Sequence, residues 1–204
     1  MSKLDSLNTL LVDELRDLYD AEQQLTRALP KMAKAATSPE LRDAFAEHLQ
    51  ITEQHVSRLE EALEGLDSSA RGKKCVGMQG LIEEGREHVE ADGDEDVIDA
   101  ALIAAAQKVE HYEISAYGTA REHANCIGHA EIADLLQQTL DEEKEADRKL
   151  SALAEDLINR QAVGSSMEDD SGLDELDDEE ESEEELAKPA PPAATRKGSR
   201  RSRS

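Results

Sequence analysis

Aromatic residues are nearly missing from this sequence. They make up 2% of its 204 residues, there is no Trp, and only two residues are Cys. Sheets draw on aromatic and β-branched residues, so a composition rich in Ala, Leu, Glu and Asp favours helices instead. Two cysteines cannot build a disulfide framework, the first residues lack the apolar region of a signal peptide, and no apolar run is as long as a membrane span. We therefore expect a helical, cytoplasmic protein without a membrane segment.

Negative charge dominates the chain and is unevenly distributed. The net charge is −25, of which residues 1–163 carry −18. Residues 164–187 contain 13 acidic and no basic residues, whereas residues 188–204 contain six basic and no acidic ones. Like-charge blocks with prolines are typical of disorder, so we predict a folded domain over 1–163 and a disordered tail over 164–204. The acidic domain repels nucleic acid, and only weak contact with phosphates through the basic C-terminus is expected.

Four long segments have the apolar periodicity of amphipathic helices. Before the second segment, Ser38 is a suitable N-cap and Pro39 suits the first helical turn. Pro30 lies near the end of the first segment, where we expect a kink or a break. The predicted helices cover approximately residues 7–36, 39–65, 94–122 and 129–161.

The lengths of the connections predict the topology. Short turns join the first helix to the second and the third to the fourth, which makes each pair an antiparallel hairpin. About thirty residues separate the two pairs, and they include CVGMQGLIEEGREHVEA at 75–91, which reads as a short helix of its own. Two hairpins joined by a long crossover are typical of the ferritin-like, antiparallel four-helix bundle. The predicted fold class is therefore all-α.

Groups that can bind metals interrupt the apolar stripe of all four helices near mid-length. Antiparallel helices bring such positions level with one another, and buried carboxylates are costly unless they are neutralised. Two divalent metals bridged by carboxylates would neutralise them, and this donor set favours iron or manganese, with zinc as an alternative. The predicted metal ligands are Glu22, His55, Glu110, Glu113, Glu143 and Asp147. Weaker candidates, or residues that hold a ligand in place, are His48, Thr52 and His111.

The second helix departs from the general dimetal template. That template places Glu-x-x-His on two helices, but none of the six histidines here follows a Glu by three residues, and Thr52 stands in that place before His55. A core histidine bonded to a carbonyl or a carboxylate is the alternative interpretation of His48 and His55. A polar network without metal is the corresponding alternative for the carboxylates.

Four stretches together resemble the YciF family of bacterial stress-associated, ferritin-like proteins. They are AEQQLTRALPKMAKAA at 21–36, KCVGMQGLIEEG at 74–85, ALIAAAQKVEHYEISAYGT at 101–119 and TLDEEKEADRKL at 139–150. The resemblance extends over roughly residues 7–160 and implies a four-helix bundle that forms a homodimer and holds a rubrerythrin-like dimetal centre. It also implies that five acidic residues occupy the family's core acidic positions. These are Glu22, Glu110, Glu113, Glu143 and Asp147.

Two functional hypotheses of different classes follow. The first is a stress-associated cytoplasmic dimetal carboxylate protein that acts on peroxide or iron, an activity that would make it an oxidoreductase. In that hypothesis Glu110 and Glu143 bridge the metals, and Glu22, His55 and Asp147 are terminal ligands. The second is a non-catalytic helical bundle, an interaction or structural protein whose charged tail contacts partners. Iron storage in a cage is disfavoured, because the chain shows no recognisable surface for assembling a shell.

Overall fold

The computed structural model describes residues 4–170, with side chains described as far as residue 164. This part of the chain is all-α and contains no strand, which confirms the predicted fold class. The four long helices and the short crossover helix lie where the periodicity predicts them. In chain order they are α1 (Leu7–Ala35), α2 (Pro39–Glu64), α3 (Val76–Val89), α4 (Glu95–Cys126) and α5 (Ala130–Leu153). No helix in the described residues is both long enough and apolar enough to span a membrane.

Local sequence signals set the ends of these helices. The Ser38 hydroxyl accepts a hydrogen bond from the Leu41 amide and Pro39 lies in the first turn of α2, as predicted. Between α4 and α5, Gly128 has a φ of +85°, a conformation that disfavours residues with a side chain. Pro30 does not break α1, which continues to Ala35.

The two long helix pairs are antiparallel, as the short turns between them predict. Leu11, near the start of α1, shares an apolar cluster with Leu63, near the end of α2. Leu29 and Leu41 share a second cluster at the other end of the same pair. The α4–α5 pair also contributes to both clusters, and α1 packs against α4 while α2 packs against α5. A polar band at mid-length therefore lies between two apolar cores.

A buried aspartate of α4 fixes the turn between α1 and α2. Asp99 is completely buried and accepts hydrogen bonds from the Thr37 amide at 2.9 Å, the Thr37 hydroxyl at 2.8 Å and the Ser38 amide at 2.7 Å. These bonds satisfy backbone donors at the start of α2 that have no partner within that helix. The contact ties one helix pair to the other close to the turn.

The chain beyond α5 differs from the prediction. A π-helical turn covers Ala154–Ile158, and α6 (Asn159–Asp170) follows it. A π turn inserts an extra residue into the helical repeat. Consequently Ile158 is fully buried, whereas Leu157, which continues the apolar spacing of Leu150 and Ala154, is only partly so. The helix reaches Asp170, beyond the predicted start of the tail at residue 164. The rest of the predicted tail, 171–204, lies outside the described residues.

Candidate metal centre

The polar band consists of the side chains that interrupt the apolar stripes. On α2, His48, Thr52 and His55 lie between the apolar residues of the two cores, and single glutamates do so on α1 and α5. Each of these residues lies three or four positions from its apolar neighbours, so the helical repeat turns it inward with them. The buried polar residues of the band are Glu22, His48, Thr52, His55, Glu110, Glu113 and Glu143.

His55 joins carboxylates of two other helices. Its Nδ1 atom lies 3.3 Å from Oε1 of Glu22 and 3.0 Å from Oε1 of Glu143. All three side chains have no solvent exposure, and one donor atom from each lies within 4.8 Å of the others. Three donors at this spacing, from α1, α2 and α5, could converge on one metal ion.

A second group of the same kind shares Glu143. The Nε2 atom of His48 lies 3.4 Å from Oε1 of Glu110 and 3.9 Å from Oε2 of Glu143. Donor atoms of these three residues also lie within 4.8 Å of one another. Because the two oxygens of Glu143 approach different histidines, this carboxylate lies between the two groups.

Unpaired polar atoms concentrate in this band. Nine buried side-chain nitrogen or oxygen atoms have no aligned hydrogen-bond partner among the described residues, and eight of them belong to this cluster. Both oxygens of Glu113 and both oxygens of Glu143 are in this set, and so is His55 Nδ1, whose close carboxylate contacts are poorly aligned. Buried polar groups in proteins are nearly always hydrogen-bonded. The side chains of the band therefore do not satisfy one another's hydrogen-bonding capacity.

Burial and mutual repulsion shift the pKa values of the titratable residues in the polar band. Burial, followed by the charge of Glu143, raises the pKa of Glu110 well above 4.5, and burial also raises that of Glu113. Burial alone would raise the pKa of Glu143, but the close contact with His55 and the charge of that imidazole lower it. Burial opposes the His55 cation, yet Glu143 and Glu22 raise the pKa of His55 to about 10. Without metal, burial therefore favours the protonated forms of Glu110 and Glu113, and the His55 cation balances the carboxylate of Glu143.

Glu142 and Arg58 hold His55 from its other side, and sequence reasoning missed both residues. Oε2 of Glu142 lies 2.9 Å from Nε2 of His55, and Arg58 pairs with both oxygens of that carboxylate. Burial alone would raise the pKa of Glu142, but Arg58 and His55 lower it. In the neutral imidazole that a metal would require, a proton on Nε2 directed at this carboxylate leaves the Nδ1 lone pair of His55 facing the polar band. The signal in the sequence was weak, because Glu142 falls at the edge of the apolar stripe.

Thr52, one of the weaker candidates, and Tyr117 make contacts within the band that differ from metal binding. The Thr52 hydroxyl donates to the backbone oxygen of His48 at 2.9 Å, within its own helix. Tyr117, which has the pattern of a packing residue, is fully buried but also donates its hydroxyl to Glu22.

Asp147 and His111 lie apart from the two groups. The side chain of Asp147 is partly exposed, accepts a hydrogen bond from Gln107 at 3.1 Å and lies 3.3 Å from Nε2 of His111. His111 itself is 70% exposed. Of the six predicted ligands, the structure thus brings Glu22, His55, Glu110 and Glu143 into the two groups. Glu113 is buried nearby, and Asp147 remains at the edge.

Comparison with known proteins identifies the family. Residues 6–163 match the family described as a domain of unknown function, DUF892. The chain belongs to the DUF892 family. Protein YciF of Escherichia coli strain K12 is 45% identical over 161 residues, which cover 78% of this chain and 96% of that protein. The resemblance to the YciF family is thereby confirmed.

Solved structures agree with this membership in the DUF892 family. The crystal structure of the E. coli stress protein YciF matches with a TM-score of 0.74 and 44% identity, covering 76% of this chain and 99% of that one. A Rhodopseudomonas palustris protein described as a candidate structural protein, YcfI, matches with a TM-score of 0.71 and 41% identity, covering 73% and 95%. A Xanthomonas campestris protein at 22% identity and a TM-score of 0.62, covering 81% and 99%, shares the fold.

Proposed function

We propose that this protein is a stress-associated dimetal carboxylate protein of the ferritin-like, four-helix-bundle type that acts on peroxide or iron. The observation that carries the proposal is the set of eight buried polar atoms that have no aligned hydrogen-bond partner among the described residues, between the two apolar cores. Buried carboxylates and imidazoles without such partners lower the stability of the folded protein by an amount on the order of several kcal/mol, and a bound divalent cation removes that cost. The similarity to the stress protein YciF supports the association with stress.

The donor set fits iron or manganese. Carboxylate oxygens outnumber imidazole nitrogens, and no thiolate is among the residues grouped around the band. Zinc tolerates the same donors, so the identity of the metal requires measurement. Glu22, His55 and Glu143 would hold one ion, and His48, Glu110 and Glu143 would hold the other. Glu143 would then be shared by the two ions, and the carboxylate of Glu113 would add negative charge that offsets the positive charge of the ions.

The residues of the polar band would hold two metal ions in position for a reaction that transfers two electrons. When bound, a ferrous pair would supply the two electrons by which one hydrogen peroxide, together with two protons, becomes two waters. The two apolar cores exclude bulk water, which strengthens electrostatic interactions between the carboxylates and any cation. Glu142 orients His55, and Tyr117 orients Glu22 through its hydrogen bond.

Metal content per chain tests the proposal directly. Protein purified without chelators and reloaded anaerobically with ferrous iron should contain about two ions per chain, the number expected for a dimetal site. Glu110→Ala and Glu143→Ala should lose metal, whereas Glu53→Ala, an exposed position on α2, should retain it. Peroxide-dependent oxidation of the loaded parent protein would then establish the reaction. A parent protein that binds no metal would contradict the proposal.

A non-catalytic interaction or structural role is the second candidate, favoured by the description of the R. palustris relative as a candidate structural protein. In that case the polar band would be a structural network and the parent protein would bind no metal. Removal of residues 171–204, which lie beyond α6, would abolish partner binding without changing the fold of the described helices. The homodimer implied by the family resemblance stays a prediction, which sedimentation at several concentrations would test.

A further inference from the structure

A small cavity adjoins the candidate metal centre on the side of α2 and α5. Its volume is about 120 Å³, well above the ~10–15 Å³ that a cavity needs to hold one water-sized molecule. Side chains from all four long helices form its apolar wall. They are Leu29, Ala44, Phe45, Ile51, Ala106 and Leu150.

The two ends of the cavity differ in exposure. His48 and Glu110 line it at the buried end, where they are 8% and 2% exposed. Glu47 and Lys149, which form an ion pair with each other, line it at the solvent end. The cavity therefore extends from the surface between α2 and α5 to one of the two groups of candidate ligands.

The buried end carries polar atoms without partners. Nδ1 of His48 and Oε2 of Glu110 have no hydrogen-bond partner among the described residues. An apolar cavity that ends on unpaired polar atoms has the character of a ligand site, where a few polar groups orient a molecule held by apolar walls. Packing alone would not require an open volume at this place, since protein interiors are otherwise close-packed.

We propose that this cavity admits a small uncharged molecule to the candidate metal centre and that His48 and Glu110 receive it at the buried end. The inference rests on the proposed function. Apolar walls make the passage of an ion costly, and the carboxylates of Glu142 and Glu145, which also line the cavity, repel anions. Neutral molecules of a few atoms, the size of dioxygen or hydrogen peroxide, fit this volume.

Two neighbouring alanines of α4 provide a matched pair of variants. Ala106 lines this cavity, whereas Ala105 lines a separate cavity between α1, α3 and α4, and both are 5% exposed. Ala106→Leu should slow the association of nitric oxide with the ferrous-loaded protein at least severalfold in stopped-flow absorbance, and Ala105→Leu should not. Ala146→Leu, at a half-exposed position of the wall, repeats the test with less strain on the core. Metal content should be the same in all three variants.

Xenon tests the cavity independently of metal binding, because xenon binds empty apolar cavities. Crystals of the metal-free parent protein under xenon pressure should show an atom beside Ala106, and crystals of Ala106→Leu should not. If nitric oxide associates equally fast with the parent and with both blocked variants while metal is retained, the access role is overturned and the metal centre stands. If the parent binds no metal, the proposed function fails and the access role fails with it. An absence of xenon from the parent cavity would also overturn the inference.

Discussion

The hydroxyl of Tyr117 donates a 2.5 Å hydrogen bond to Oε1 of Glu22, and both side chains are completely buried. Tyr117 belongs to α4 and Glu22 to α1, so the bond joins the two antiparallel pairs at the level of the polar band. The same tyrosine ring meets the His55 ring edge-on, with centroids 6.3 Å apart. One side chain thus orients two candidate metal ligands.

Removal of that hydroxyl should destabilise the protein. Tyr117→Phe removes the aligned donor of a buried carboxyl oxygen of Glu22, which we expect to lower the free energy of unfolding by about 1–3 kcal/mol. Urea denaturation of the metal-free protein measures the change. Tyr19→Phe is the matched control, because Tyr19 bonds Glu60 at 2.8 Å near the surface and should cost about 1 kcal/mol or less. Equal losses in both variants would contradict the assigned role of Tyr117.

The metal-free protein should lose stability as the pH rises. Burial, followed by the charges of Glu22 and Glu143, raises the pKa of Glu113 well above 4.5. A carboxyl whose pKa is higher in the folded state contributes its full stability below its ordinary pKa, and that contribution disappears as the pH rises through the folded value. The contribution of Glu113 to the melting temperature of chelator-treated protein should therefore fall as the pH rises above its ordinary pKa of 4.5.

Glu113→Gln should flatten this pH dependence, because glutamine does not ionise. The variant should melt at a higher temperature than the metal-free parent at the alkaline end and should bind metal more weakly. Opposite signs in the two measurements are expected of a side chain kept for binding at the expense of stability. The exposed Glu53→Gln is the control and should change neither quantity. A parent protein whose metal-free melting temperature is independent of pH would count against buried, protonated carboxylates.

Glu142 should matter for metal affinity although it lies outside both groups of candidate ligands. Glu142→Gln weakens the acceptor that holds the Nε2 proton of His55, so we expect metal affinity to fall about 10–100-fold. Competition with a metal indicator measures this affinity. Glu131→Gln is the control on the same helix, since Glu131 is exposed in the first turn of α5, far along the chain from Glu142 and Glu143. Equal metal affinities of the parent protein and Glu142→Gln would show that Glu142 does not contribute to metal binding.

Asp99 should matter for stability and leave the metal centre intact. Asp99→Ala leaves two backbone amides and one hydroxyl without their acceptor, and we expect a loss of at least about 3 kcal/mol. Thermal and urea unfolding measure the loss, with the exposed Asp43→Ala as the control. Metal content of the folded Asp99→Ala protein should equal that of the parent. A loss of metal in the folded variant would show that the hydrogen bonds of Asp99 also position the candidate metal ligands.

The sequence by itself determined which face of each helix is buried. Steps of three and four residues placed Glu22 among the leucines of α1 and Glu110 with Glu113 on the inner face of α4, and all three are buried in the structure. The helical repeat fixes the direction of a side chain from spacing alone. The short turns at Thr37 and Gly128 fixed the antiparallel pairing for the same local reason.

Only the tertiary structure decided which of these inward groups meet. Periodicity carries no information on the rotation of one helix against another, so it could not show that Asp147 turns towards Gln107 or that Glu142 reaches His55 across the α2–α5 contact. It also could not show the π turn that exchanges Leu157 for Ile158 in the core. Distances of 3 Å between side chains of different helices depend on packing that no single helix encodes. The sequence therefore determined the faces, and the packing of the helices determined the contacts.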